Sequence, residues 1–132
     1  MPNAFRTILI VDDDALIRRT FESLFRGRGY NVLSADNGES ALQILAGHSV
    51  DTILLDILMP RKEGLETLIE VKRLSPATQV FVMTGGVTRG PDFLKIATRF
   101  GADGVVQKPI SASALLKLVG DSGQSSTAQQ RA

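Results

Sequence analysis

The chain has 132 residues, a formal net charge of +1 and no cysteine. Such a length fits one domain that can bury a core without staples, and the missing thiols exclude disulfides and thiolate metal sites. The near-neutral balance argues against a nucleic-acid surface supported by overall charge, although a local patch stays open.

The N-terminal MPNAFRT leads into an apolar run of only four residues, Ile8 to Val11. That is too short for a signal peptide or a membrane span, so a soluble cytoplasmic protein without membrane insertion is expected. The run reads as a buried strand. Ala15 to Gly27 follows as a helix, with Leu16, Ile17, Phe21, Leu24 and Phe25 at helical spacing. Arg18, Arg19 and Arg26 lie between them and, with Arg28, read as a solvated face. Gly27 and Gly29 end this helix. Tyr30 to Ser34 is a weaker strand, and Glu39 to Ala46 a short helix. His48, after Gly47, reads as a surface residue. Thr52 to Asp56 is a third strand, and Leu65 to Leu74 a helix closed by Ser75-Pro76. Val80 to Met83 is a fourth strand, and Pro91 to Phe100 a helix with proline in its first turn. Gly104 to Val106 is a fifth strand, and Ser111 can cap a last helix through Val119. Residues 1–119 read as one domain. Residues 120–132 are polar without apolar periodicity, as in a disordered tail or the start of a linker.

Five strand–helix units in strict alternation predict an α/β fold: a doubly wound, five-stranded parallel sheet with helices on both faces. Right-handed crossovers then put every strand's carboxyl end on one edge, where such sheets bind ligands. The polar residues collect there. Strand one ends at Asp12, Asp13 and Asp14, strand three at Asp56, strand four at Thr84-Gly85-Gly86, and strand five at Lys108-Pro109. Asp56 interrupts the most hydrophobic stretch of the chain, TILLDILMPRKEG from Thr52 to Gly64. An uncompensated carboxylate in an apolar setting costs several kcal/mol or more. Either Asp56 surfaces at the strand end, or something nearby neutralises it. Taken singly, each feature has an ordinary reading: Asp14 as an N-cap, Asp13 as an alternative cap, Asp56 capping a turn, Lys108 solvated, Thr84-Gly85-Gly86 a loop.

Together, VDDD, LLDILMP, MTGG and QKP at successive strand ends resemble the receiver domain of two-component response regulators, over about residues 5 to 119. The resemblance implies strand order 2-1-3-4-5, as in the chemotaxis member of that family, and a Mg2+-dependent phosphoaccepting signalling module. Asp56 would be the phosphoacceptor, and Thr84, Gly85 and Lys108 would contact the phosphoryl group. Mg2+ would be held by Asp13, Asp56 and the backbone carbonyl of Leu58 directly, and by Asp12 through water. The Lys-Pro bond is often cis in the family. Partners would be a sensor histidine kinase or a phosphotransfer protein, and an unknown downstream protein reached by protein–protein contact or phosphotransfer, without direct nucleic-acid binding. The module would assist its own phosphorylation and dephosphorylation without being an enzyme in the usual sense. The position three before the lysine, usually Tyr or Phe and part of the family's switch, is Val105. A haloacid-dehalogenase-type phosphatase using Asp12 and Asp14, a flavodoxin-like cofactor binder, and a degenerate receiver used only for binding are the competing functions.

Overall fold

The computed structural model describes residues 6–57, 62–84 and 91–120, with the backbone alone at 62–63 and 91–94. Leu58, Gly85, Gly86 and the tail beyond residue 120 lie outside the described residues. The strands are β1 (Thr7–Val11), β2 (Asn31–Ala35), β3 (Thr52–Asp56), β4 (Gln79–Thr84) and β5 (Gly104–Gln107). The helices are α1 (Ala15–Arg26), α2 (Gly38–Gly47), α3 (Lys62–Leu74), α4 (Pro91–Arg99) and α5 (112–120). All strand pairings are parallel, in the order β2-β1-β3-β4-β5. The expected α/β fold and strand order are therefore observed.

Side chains alternate across each strand, so a parallel sheet buried on both sides needs two cores. On one face Leu9, Val11, Ile53, Leu55, Val80 and Val82 pack with Ala41, Leu68, Val71 and Ala97 from α2, α3 and α4. On the other, Ile8, Ile10, Leu54, Phe81 and Met83 pack with Phe25 of α1 and with Leu115 and Val119 of α5. β1 and β3 are buried at every position, which is why both read as continuous apolar runs. Among the described residues no helix is long and apolar enough to cross a membrane.

The helix ends follow local chemistry. Asp14 caps α1, its Oδ1 accepting from the Leu16 N–H at 2.9 Å and the Ile17 N–H at 3.3 Å. The Ser111 hydroxyl accepts from the Ala114 N–H at 3.1 Å and starts α5. β2 runs one residue later than its apolar pattern indicates. Tyr30 instead turns inward, edge-on to Phe25 with ring centroids 5.1 Å apart. α3 begins before Leu65, because its apolar residues mark only where the helix touches the sheet. Gly64 sits in that early turn with Ile57 directly beneath it: a Cβ there would lie 2.5 Å from Ile57 Cγ2. The missing side chain lets α3 close over the residue that follows Asp56.

Candidate functional site

The ladder registers bring the polar strand ends together. Asp56 lies opposite Met83, and Thr84 opposite Gln107. β1 closes with Val11 opposite Leu55, so Asp12 follows directly beside Asp56. After β5 the Lys108 N–H donates to the Thr84 carbonyl at 2.9 Å, and the Lys108–Pro109 peptide is cis. The Lys108 Nζ lies 3.0 Å from Asp12 Oδ2 and 3.4 Å from Asp56 Oδ2. One ammonium thus stands between two carboxylates whose side chains are 0% and 3% exposed.

Each sequence-predicted residue inside the described region has a definite place. Asp12 is fully engaged: Oδ1 accepts from the Asp14 N–H at 2.9 Å, and Oδ2 accepts from Lys108. Asp13 is exposed at the rim and does not cap α1; Asp14 does. The Asp12/Asp14 pair needed for a dehalogenase-type reading is therefore divided, with Asp14 committed to the helix. Asp56 Oδ1 and Thr84 Oγ1 are buried and meet no hydrogen-bond partner among the described residues. Val105 is partly buried against the α2–α3–α4 core face. His48 is exposed, its Nδ1 3.1 Å from the Ile44 carbonyl. Leu58 and Gly85 fall outside the described residues, so their roles rest on the resemblance alone.

Arg18 departs from the solvated-face reading. It is half-buried, and its Nη1 donates to the backbone carbonyl of Asp12 at 2.8 Å. The spacing was a weak clue: four residues past the N-cap, its side chain rises over the first turn toward the strand end.

Burial of Asp56 and the neighbouring Asp12 charge together push its carboxyl up to about 6, although Lys108 pulls the other way. Burial lowers the Lys108 ammonium, yet its bond to Asp12 and the charges of Asp56 and Asp12 more than offset this and hold it above its usual value. The lysine accounts for only part of the negative charge.

Asp12, Asp13 and Asp56 each offer a carboxylate oxygen, and these atoms lie within 4.8 Å of one another. An all-oxygen donor set of this kind suits a hard divalent cation. Asp56 Oδ1, buried beside them with no partner among the described residues, fits the same conclusion. A cleft of about 550 Å³ reaches Asp56 from solvent, between walls that include Asp13, Asn37, Glu39, Leu42 and Thr67.

Comparison with known proteins gives one consistent picture. The family model for the response regulator receiver domain matches residues 8–120. The chain is 38% identical over 105 residues to the transcriptional regulatory protein CpxR of Klebsiella pneumoniae, covering 79% of this chain and 43% of that protein. It is 32% identical over 109 residues to a cyclic di-GMP phosphodiesterase of Thermotoga maritima, covering 83% of this chain and 28% of that one. The chain thus spans less than half the length of these relatives. Among solved structures, a CheY-like receiver domain protein of Methanospirillum hungatei superposes with a TM-score of 0.84 at 26% identity, over 95% of this chain and 98% of the other.

The raised carboxyl of Asp56 has a consequence for stability. The native state holds that proton more tightly than the unfolded chain, whose carboxyl titrates near 3.8. Stability from this group is therefore full below about pH 4, falls as pH rises through 4 to 6, and is lost above 6. At 1.36 kcal/mol per pKa unit the loss reaches about 3 kcal/mol. In chelator, Asp56→Asn is expected to unfold at higher urea than wild type at pH 7.5, with the advantage vanishing near pH 4. A difference that stays constant from pH 4 to 7.5 would remove the desolvation argument.

Proposed function

The chain belongs to the response regulator receiver domain family of two-component signalling, and from that membership we propose that Asp56 is its phosphoacceptor and that Asp12, Asp13 and Asp56 are its Mg2+ site. The observation that carries this reading is the Asp56 carboxylate itself. It is buried, it lies beside the acidic pair and Lys108, and one of its oxygens meets no partner among the described residues.

The reaction follows from these groups. The Asp56 carboxyl, raised to about 6 by burial and the Asp12 charge before a cation binds, is still ionised at neutral pH, and the ionised carboxylate is the nucleophile. One carboxylate oxygen attacks phosphorus as the bond from phosphorus to the donor breaks. The electron pair leaves on the imidazole nitrogen of a phosphohistidine or on the acetate of acetyl phosphate, and Asp56 becomes an acyl phosphate. Lys108 supplies a fixed cation beside the incoming phosphoryl oxygens. The Thr84 hydroxyl, which meets no partner among the described residues, would donate to one of them, and by the resemblance Gly85 would also contact the phosphoryl group. Asp13 and Asp56, with the Leu58 carbonyl, would ligate Mg2+ directly, and Asp12, already held by Lys108, through water. Bound Mg2+ would neutralise charge on the transferring oxygens.

In this reading the domain is a regulatory module that assists its own phosphorylation and dephosphorylation. The donor is a sensor histidine kinase or a phosphotransfer protein, in the cytoplasm. Output passes by contact with a further protein, without direct nucleic-acid binding by this domain, and the residues after α5 serve as tail or linker, one residue later than the sequence boundary at 120. The phosphatase alternative is disfavoured, because Asp14 is spent on the α1 cap and the comparisons lead to receivers. A degenerate receiver is disfavoured by the retained acceptor, acidic pair, Thr84 and Lys108.

Val105 has no aromatic ring to swing and one stiff χ1. The usual coupling between the acceptor and the face formed by α4, β5 and α5 should be weaker here.

With acetyl phosphate and Mg2+, intact-mass analysis is expected to show one added phosphoryl group on wild type and none on Asp56→Asn. A gain that survives the substitution would move the acceptor elsewhere. For the switch, Val105→Tyr should enlarge the amide shift changes that beryllofluoride causes in residues 112–120. Equal changes in the two proteins would take Val105 out of the account.

A further inference from the structure

We infer that Arg18 is a positioning residue for the acidic site. It fixes the turn that carries Asp12 and Asp13 by holding the backbone carbonyl of Asp12, and this inference rests on reading Asp12, Asp13 and Asp56 as the Mg2+ site.

The argument begins with what secures that turn. The Asp12 N–H donates to the Ala35 carbonyl at 3.1 Å, the last bond that β2 offers to this edge of β1. One residue further β2 has ended, and among the described residues no backbone N–H donates to the Asp12 carbonyl. The N–H of Ile57, next along β3, is taken by the Met83 carbonyl at 3.0 Å. The Asp12 carbonyl has therefore run off the ladder, and a buried carbonyl without a donor is costly. Arg18 supplies the donor from inside α1, at 2.8 Å. The helix that carries it is itself anchored at this turn: Asp14 caps it, and the Arg18 N–H donates to the Asp14 carbonyl at 3.0 Å. Residues 12 to 18 thus form one closed unit in which α1 grips the strand end through the side chain of Arg18.

Asp12 is left with every polar group bonded: its N–H to Ala35, its carbonyl to Arg18, Oδ1 to the Asp14 N–H and Oδ2 to Lys108. Asp13 has no such support. It stands on the exposed rim, and its orientation toward Asp56 is set by the peptide before it. Locking the Asp12 carbonyl fixes that peptide plane and so the direction in which the Asp13 carboxylate leaves the chain. Guanidinium suits the task, because it stays protonated and its planar fork loses little freedom on bonding.

Two effects of Arg18 on a cation have opposite signs, which makes the role testable. As a positive charge bonded to the Asp12 carbonyl, Arg18 opposes Mg2+ binding, so electrostatics alone predicts tighter binding when it is removed. Positioning predicts weaker binding. Loss of groups that orient metal ligands costs about 10-fold to 100-fold in affinity, and the lower end is expected here because Arg18 acts through backbone.

The experiment is Mg2+ titration calorimetry on wild type, Arg18→Ala, Arg18→Lys and the neighbouring control Arg19→Ala, with each variant's fold checked by its amide spectrum. The expected result is a Kd about 10-fold higher for Arg18→Ala, partial recovery in Arg18→Lys, and wild-type affinity in Arg19→Ala. At saturating Mg2+ the rate of phosphorylation by acetyl phosphate should return to near the wild-type value, placing the defect in metal binding. An unchanged or lower Kd in Arg18→Ala would overturn the inference, including when that variant melts earlier. Should Arg18→Ala not fold, the same criterion applies to Arg18→Lys. If wild type takes no phosphoryl group, the acceptor reading fails, yet a raised Mg2+ Kd in the variant would still support Arg18 as the positioning residue.

Discussion

One ammonium between two buried carboxylates is the constraint on which the rest of this structure depends. Lys108 lies 3.0 Å from Asp12 and 3.4 Å from Asp56, yet these residues follow β5, β1 and β3, and β4 and β3 separate β5 from β1. Strand spacing puts the ends of β1 and β5 roughly 14 Å apart. The Lys108 N–H bond to the Thr84 carbonyl continues the β4–β5 ladder past Gln107 and fixes where the lysine leaves the sheet edge, so its long side chain, together with that of Asp12, spans the gap.

The bridge does not balance the site. Among the described residues, two buried carboxylates and the rim carboxylate of Asp13 face a single lysine. At about 4 Å and an effective dielectric of about 20, a like-charge pair repels by about 4 kcal/mol. That repulsion and the desolvation of Asp56 are carried by the apolar core. β3 is buried at all five positions, and Gly64 lets α3 pack onto Ile57 immediately past Asp56. Rigid apolar packing holds a carboxylate where water would not leave it. The resulting demand for positive charge is what a divalent cation would meet.

Much of this was legible in the chain. Continuous apolar runs at Ile8–Val11 and Ile53–Leu55 can only be strands covered on both faces, and their alternation with amphipathic segments fixes a parallel sheet. Polar residues that end such strands must share one edge, so Asp12, Asp56, Thr84 and Lys108 could be gathered without coordinates. The N-caps at Asp14 and Ser111 were legible because capping is local. Three features were not. The start of α3 was hidden because polar first-turn residues carry no periodicity. The full engagement of Asp12 depends on which carboxylate the lysine meets first, and that is a matter of ångströms. Arg18 was hidden because an arginine on the polar side of an amphipathic helix has the same pattern whether it extends into solvent or folds back over the helix start.

The central claim is that the fold buries Asp56 with less positive charge than it needs. Carboxyl-carbon NMR of aspartate-labelled protein tests this at the atom concerned. In chelator the Asp56 signal should titrate near 6, and added Mg2+ should move its midpoint to lower pH. A midpoint near 3.8, unmoved by Mg2+, would mean that Lys108 alone compensates the carboxylate and would contradict the account.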